Sequence, residues 1–192
     1  MEITEQRKKI VKCIVDNLGG QPKFLRVWDY VKRNSIDMLC LEDAVDKDLN
    51  FYSTIGTAEY PSGFSAEGVP ISVELFGVCD DQEKVFVNIL ATCSFYISNS
   101  HYKCYPGAIY HNVIDRYLPD IEMKHIMFVL PFLWEDKLKI IDLDDRKVTW
   151  LLVIPISEQE AIYAEKNGVN ALEDLFHKEE IDIFNIYRRS VN

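Results

Sequence analysis

A chain of 192 residues is long enough to bury a full core, and its 48% apolar content, with 10 Phe, 10 Tyr and 3 Trp, excludes intrinsic disorder. The 31 Asp and Glu outnumber the 21 Lys and Arg, and the net charge of −10 at pH 7 argues against nucleic acid as a direct ligand, because phosphates are met by Lys and Arg patches. A basic partner is favoured instead, through complementary fields that speed encounter, although acidity also serves solubility alone.

Met1 leads directly into the charged stretch Glu2–Lys9, without the apolar region of a signal peptide. Thr4 is placed to cap a helix in which Ile10, Val11, Ile14, Val15 and Leu18 share one face, and Gly19-Gly20 and Pro22 stop it. Two strands follow, Phe24–Tyr30 and Ile36–Leu41, joined as a hairpin by the polar turn Lys32–Ser35. An acidic loop, Glu42–Asp48, precedes a third strand, Phe51–Gly56. Tyr60–Gly63 then makes a turn, and Ile71–Gly77 alternates as a half-buried strand.

Asp80 or Asp81 is expected to cap a long helix carrying Val85, Phe86, Ile89, Leu90, Cys93, Tyr96 and Ile97, which ends near Asn99. Tyr105–Pro119 reads as a structured loop with a short strand. Three strands follow, His125–Leu130, Leu138–Leu143 and Val148–Ile156, with Asp144–Arg146 as the turn between the last two. Ser157-Glu158-Gln159-Glu160 has the pattern of a capping box for a helix to Lys166, closed by Asn167-Gly168. Asn170–Glu173 repeats that logic for a shorter helix to about Glu179, and the alternating tail, 181–192, is expected to pack along the molecule. The fold class is therefore α/β (α+β): a single domain, 1–192, with a mixed or antiparallel sheet sandwiched with helices. The strict strand–helix alternation of a doubly wound fold is missing.

No phosphate-binding glycine loop, zinc-protease motif or nucleophile elbow occurs. Ser53, Thr54 and Ser94 fall inside predicted elements, and His125 at a strand start reads as structural. Cys13, Cys40, Cys79, Cys93 and Cys104 are odd in number and never form C-x-x-C, so they are expected to act as small hydrophobes in a reducing cytoplasm. No catalytic, cofactor-binding or metal-binding residues are assigned. The longest apolar runs, Trp150–Ile154 among them, fall far short of the roughly twenty residues of a membrane helix. A soluble cytoplasmic protein is expected, with no membrane or direct nucleic-acid partner and no cofactor; nothing in the sequence specifies an oligomeric state.

Aromatic residues beside acidic ones suit an interface with an apolar centre and a charged rim. Tyr105 and Tyr110 lie near Pro106-Gly107, and Trp134 precedes Glu135-Asp136. With the acidic positions Glu42, Asp43, Asp46, Asp48 and Glu59, these form the candidate partner-binding set. The competing reading is that the large rings close the core under a loop.

Two longer stretches resemble the suppressor of fused-like family. One runs from Trp150-Leu151-Leu152-Val153-Ile154-Pro155-Ile156-Ser157 through Tyr163-Ala164-Glu165, Asn167-Gly168 and Ala171–Phe176 to Arg188–Val191. The other is Tyr52-Ser53-Thr54-Ile55-Gly56-Thr57-Ala58-Glu59-Tyr60-Pro61, similar to the family's Y-x-T-x-G-x-S-x-x-P segment but with Ala58 in place of Ser, followed by Val73-Glu74-Leu75. The resemblance implies a non-catalytic α/β sandwich. It also implies an antitoxin or immunity protein, as small bacterial members are, whose partner is the basic C-terminal nuclease domain of an LXG-type toxin. The alternative it carries is a regulatory module that sequesters a host protein.

Overall fold

The computed structural model describes residues 4–47, 49–80, 83–143 and 145–191, with the backbone alone at residues 45, 46, 83 and 84. Helix α1, Glu5–Leu18, starts where Thr4 Oγ1 accepts a hydrogen bond from the Arg7 N–H at 3.2 Å. It ends at Gly19, whose φ of +76° is the left-handed conformation that side chains oppose. Its Ile10 and Ile14 are buried on the sheet.

The strands are β1 (Lys23–Trp28), β2 (Ser35–Asp46), β3 (Leu49–Ile55), β4 (Phe64–Ala66), β5 (Val69–Cys79), β6 (Ile109–Tyr110), β7 (Met123–Val129), β8 (Ile141–Asp142) and β9 (Lys147–Ser157). They form one sheet in the order β1-β2-β3-β5-β9-β7-β6, with β4 beside β5 and β8 beside β9. Neighbours are antiparallel except β5 and β9, which run parallel from Ile71 opposite Lys147 to Phe76 opposite Leu152. A parallel pair requires a long crossover, and here it contains α2 (Glu83–Ser100), β6 and β7. The sheet is therefore mixed.

Both faces are covered. Phe86, Ile89, Leu90, Cys93 and Ile97 of α2 pack on Met38, Tyr52, Leu75, Leu151 and Val153. On the other face α1 joins α3 (Glu158–Asn167), α4 (Val169–Lys178) and the tail over Leu39, Phe51, Phe76, Leu152 and Ile154. A central strand buried on two sides carries apolar residues continuously, which accounts for Trp150–Ile154.

Some expected boundaries move. The acidic stretch expected as a loop is strand as far as Asp46, which pairs with Leu49 after a register shift beyond Leu41. A bulge absorbs the extra residues, and Asp43 takes a φ of +49°. Asp48 and the side chain of Asp46 lie outside the described residues, as do the proposed cap Asp81 and the turn residue Asp144. Strand β4 was not anticipated; Glu67 and Gly68, both at positive φ, make a two-residue hairpin that pairs it with β5. The strand expected over Leu138–Leu143 shrinks to β8, because residues 131–138 coil around Trp134. Asn170 is not a cap: α4 begins after Gly168 without a side-chain acceptor.

The capping box at α3 does form, and its Glu160 also holds the tail. The buried carboxylate accepts the Ser157 N–H at 3.0 Å and two Arg188 guanidinium bonds at 2.6 and 2.8 Å. Arg188 also donates to Pro155 O at 2.8 Å and lies over the Phe176 ring, 5.1 Å from its centroid. Removing one member strands a buried charge. Glu160→Ala is expected to lower unfolding free energy by about 3–5 kcal/mol in urea titrations.

Candidate functional site

His125, Thr57 and Ser94 are engaged in structural hydrogen bonds. His125 is buried; its Nδ1 accepts the Asn112 N–H at 2.8 Å, which leaves Nε2 as the donor to Glu158 Oε2 at 2.7 Å. The ring thus fastens the 111–125 segment to α3. Thr57 Oγ1 and Ser94 Oγ share a hydrogen bond of 2.6 Å inside the core. Among the described residues no three His, Cys, Asp or Glu side chains come together as a metal site. Four of the five cysteines are buried, with Cys93 and Cys104 pushed up in pKa by desolvation.

The Tyr52–Pro61 segment owes its residue types to a buried carboxylate. Glu74 accepts bonds from Thr54 Oγ1 at 2.5 Å and from the N–H groups of Gly56, Thr57 and Ala58 at 2.8, 3.2 and 3.2 Å. Gly56 has a φ of +116°, and a Cβ there would sit 2.7 Å from an Arg7 guanidinium nitrogen. Arg7 binds Glu59 through two bonds of 2.6 and 2.7 Å and Asp37 at 2.8 Å. Arg26 completes the cluster with bonds of 2.7 and 2.9 Å to Asp37. Glu59 is therefore already neutralised within the molecule. Glu42 is paired with Lys23.

A different surface has the character of an interface. Pro131 cannot donate to a ladder, and the chain leaves β7 in a tight turn, with Trp134 N–H donating to Pro131 O and Leu138 N–H to Trp134 O, both at 2.7 Å. Trp134 points inward, edge-on to Phe76 at 5.5 Å between centroids and near Phe184 at 5.9 Å. Its neighbours face solvent: Leu130, Phe132 and Leu133 are 55%, 52% and 54% exposed. Facing them are α4 and the tail segment that the Arg188 clamp holds in place.

Between the two lies a groove of about 1030 Å³. Buried Val129, Ile154 and Phe176 form its base, and Leu130, Leu133 and Phe184 line its sides. Glu173, Glu180 and Asp182 contribute carboxylates to the lining. Lys178 on α4 pairs with Glu179, and among the described residues no ion pair engages Glu173, Glu180 or Asp182. Desolvation, then the charge of Asp174, raises the pKa of Glu173, so its charge is under-solvated where it stands. An apolar centre with a charged margin is the make-up of a protein-binding surface.

Of the candidate contact residues, Tyr105 lines this groove, and Glu135 and Asp136 are exposed on the turn that forms one side. Trp134 and Tyr110 are corrections: at 6% and 4% exposure they are core residues. Tyr110 sits in an aromatic cluster with Tyr96, Tyr102 and Phe128. Glu42, Asp43 and Glu59 belong to the far side of the sheet order, around β2 and β3, and are not brought to the groove. The sequence reading missed Leu130, Leu133, Glu173, Glu180 and Asp182. The available signal was an apolar run, Leu130–Leu133, interrupted by a proline that forbids it from continuing as strand.

The chain belongs to the suppressor of fused protein (SUFU) family, whose description matches residues 32–189. It is 40% identical over 191 residues to Immunity protein YqcF of Bacillus subtilis (strain 168), covering 100% of both chains. In fold it is similar to a SUFU homologue of Neisseria gonorrhoeae FA 1090, with a TM-score of 0.75 at 14% identity over 98% of this chain and 97% of that one. It is also similar to a chain of the Sufu–Fu complex, with a TM-score of 0.68 at 14% identity over 97% and 92% of the two chains. The mixed sheet with helices on both faces is thus a SUFU fold.

Two outcomes follow from this geometry. Trp134→Ala should cost about 3–5 kcal/mol in chemical denaturation, as a core aromatic does, whereas a peripheral contact residue would cost little. Burial lifts Glu74 from the ordinary 4.5 to about 7 against the pull of its four donors. The folded state therefore holds a proton that the unfolded state releases, so Glu74's contribution to stability is present below pH 4.5 and is lost as pH rises to about 7. Unfolding free energies across that window should show a downward component that Glu74→Gln removes; equal slopes in both proteins would contradict it.

Proposed function

We propose that this chain is a non-catalytic immunity protein that neutralises a cognate toxin by direct protein–protein contact. The observation that carries this reading is the 40% identity, end to end, to Immunity protein YqcF. The net charge of −10 and the unpaired carboxylates of the groove support a basic target. The finer proposal is that the target is the C-terminal nuclease domain of an LXG-type toxin. A nuclease presents cations to phosphate, and an acidic surface that competes for them blocks substrate. Such a partner acts in the cytoplasm, a reducing compartment that suits the buried cysteines of this chain.

The test is co-expression with the toxin nuclease domain encoded beside this chain's gene, scored for growth rescue and co-purification. Rescue with a stable 1:1 or higher complex is expected. Rescue without a complex would contradict direct contact, and absence of rescue would shift the reading to a regulatory module that sequesters a host protein.

A further inference from the structure

We propose that the groove between the 130–134 turn and α4 is the docking site for a basic, amphipathic segment of the toxin. The inference rests on the immunity reading and adds to it a location and a chemistry. Leu130, Phe132 and Leu133 lie close in sequence, with Pro131 between the first two, and each is more than half exposed, in a turn where Trp134 is buried. Exposed apolar clusters of this kind mark interaction sites. The turn cannot relax to hide them, because Trp134 and the hydrogen bonds to Pro131 O and Trp134 O hold its shape.

The charge pattern selects the occupant. Glu173, Glu180 and Asp182 line the groove, and among the described residues no ion pair engages them; Glu135 and Asp136, outside the lining, are exposed on the turn that forms the other side. A segment with an apolar row between Lys or Arg residues would fill the base and pair with the margin. A second copy of this chain is disfavoured, since an isologous contact would set these carboxylates against themselves on molecules of net charge −10. A small apolar ligand would leave the shoulder formed by Leu130, Phe132 and Leu133 in water, and the volume of about 1030 Å³ exceeds what most such ligands fill. By contrast, Glu42 and Glu59 already hold Lys23 and Arg7, so a partner's cation would have to displace these bonds. Among the described residues Glu173 and Glu180 are open and Asp182 accepts the Phe184 N–H at 3.1 Å, whereas Glu42, Asp37 and Glu59 are held by Lys23, Arg26 and Arg7.

The experiment is calorimetric titration of the neighbouring toxin nuclease domain, in catalytically inactive form, into wild-type protein and two variants. Leu130→Asp/Leu133→Asp should weaken binding by about 100-fold or more with an unchanged thermal midpoint, because both side chains are surface groups at the centre of the proposed contact. Glu173→Lys/Glu180→Lys should weaken it by about 10-fold and flatten its salt dependence. If wild type and both variants bind equally, the groove assignment is overturned while the immunity reading stands. If wild type itself fails to bind, both fall together. A dimeric wild type made monomeric by the first variant would overturn the proposal in favour of self-association.

Discussion

The parallel pairing of β5 with β9 holds this molecule together. On one side of it lies the antiparallel run β1-β2-β3-β5, and on the other β9-β7-β6; six residue pairs, Ile71–Phe76 with Lys147–Leu152, join them. Both strands are almost wholly buried, so the pairing places Val73, Leu75, Leu151 and Val153 under α2 and Phe76, Leu152 and Ile154 under the other helices. Helix α1 rests on β2 and β3 on one side of that junction, and Val129 and Ile154 reach the groove base from β7 and β9 on the other.

Electrostatics divides the surface into two parts. Around β1–β3 and the Gly56 segment, acids are met by bases: Lys23 with Glu42, Arg26 and Arg7 with Asp37, and Arg7 with Glu59. Beneath them Glu74 is supplied with backbone N–H groups. Near the C-terminus the buried Glu160 is matched by Arg188, and this match holds the tail against α4. At the groove margin, Glu173, Glu180 and Asp182 have no ion pair among the described residues. Other carboxylates, Asp16, Glu67 and Asp120 among them, share that state, but at the groove it coincides with exposed apolar side chains, and that coincidence gives the surface its binding character.

Several details were legible because they depend on neighbours in sequence. The Thr4 cap, the Ser157/Glu160 box and the Asn167-Gly168 stop are local geometry, and each forms. The family resemblance was legible as well, and its Gly56 segment forms a cradle for Glu74. Errors arose where a long-range partner decided the outcome. Glu42–Asp46 has the composition of a loop, yet it pairs with β3 across a bulge. Trp134 and Tyr110 have the composition of contact residues, yet Phe76 and Phe128 enclose them.

Most helices and long strands, the family resemblance and the sign of the charge were readable along the chain, since they follow from periodicity, capping chemistry, motif order and composition. Which aromatic rings face water and which acids are matched by a base are set by the folded chain. Both depend on contacts between residues far apart in the chain, as between Arg7 and Glu59 or Trp134 and Phe76. Hydrophobic burial and ion pairing act through space, so a linear pattern names the groups but not their partners.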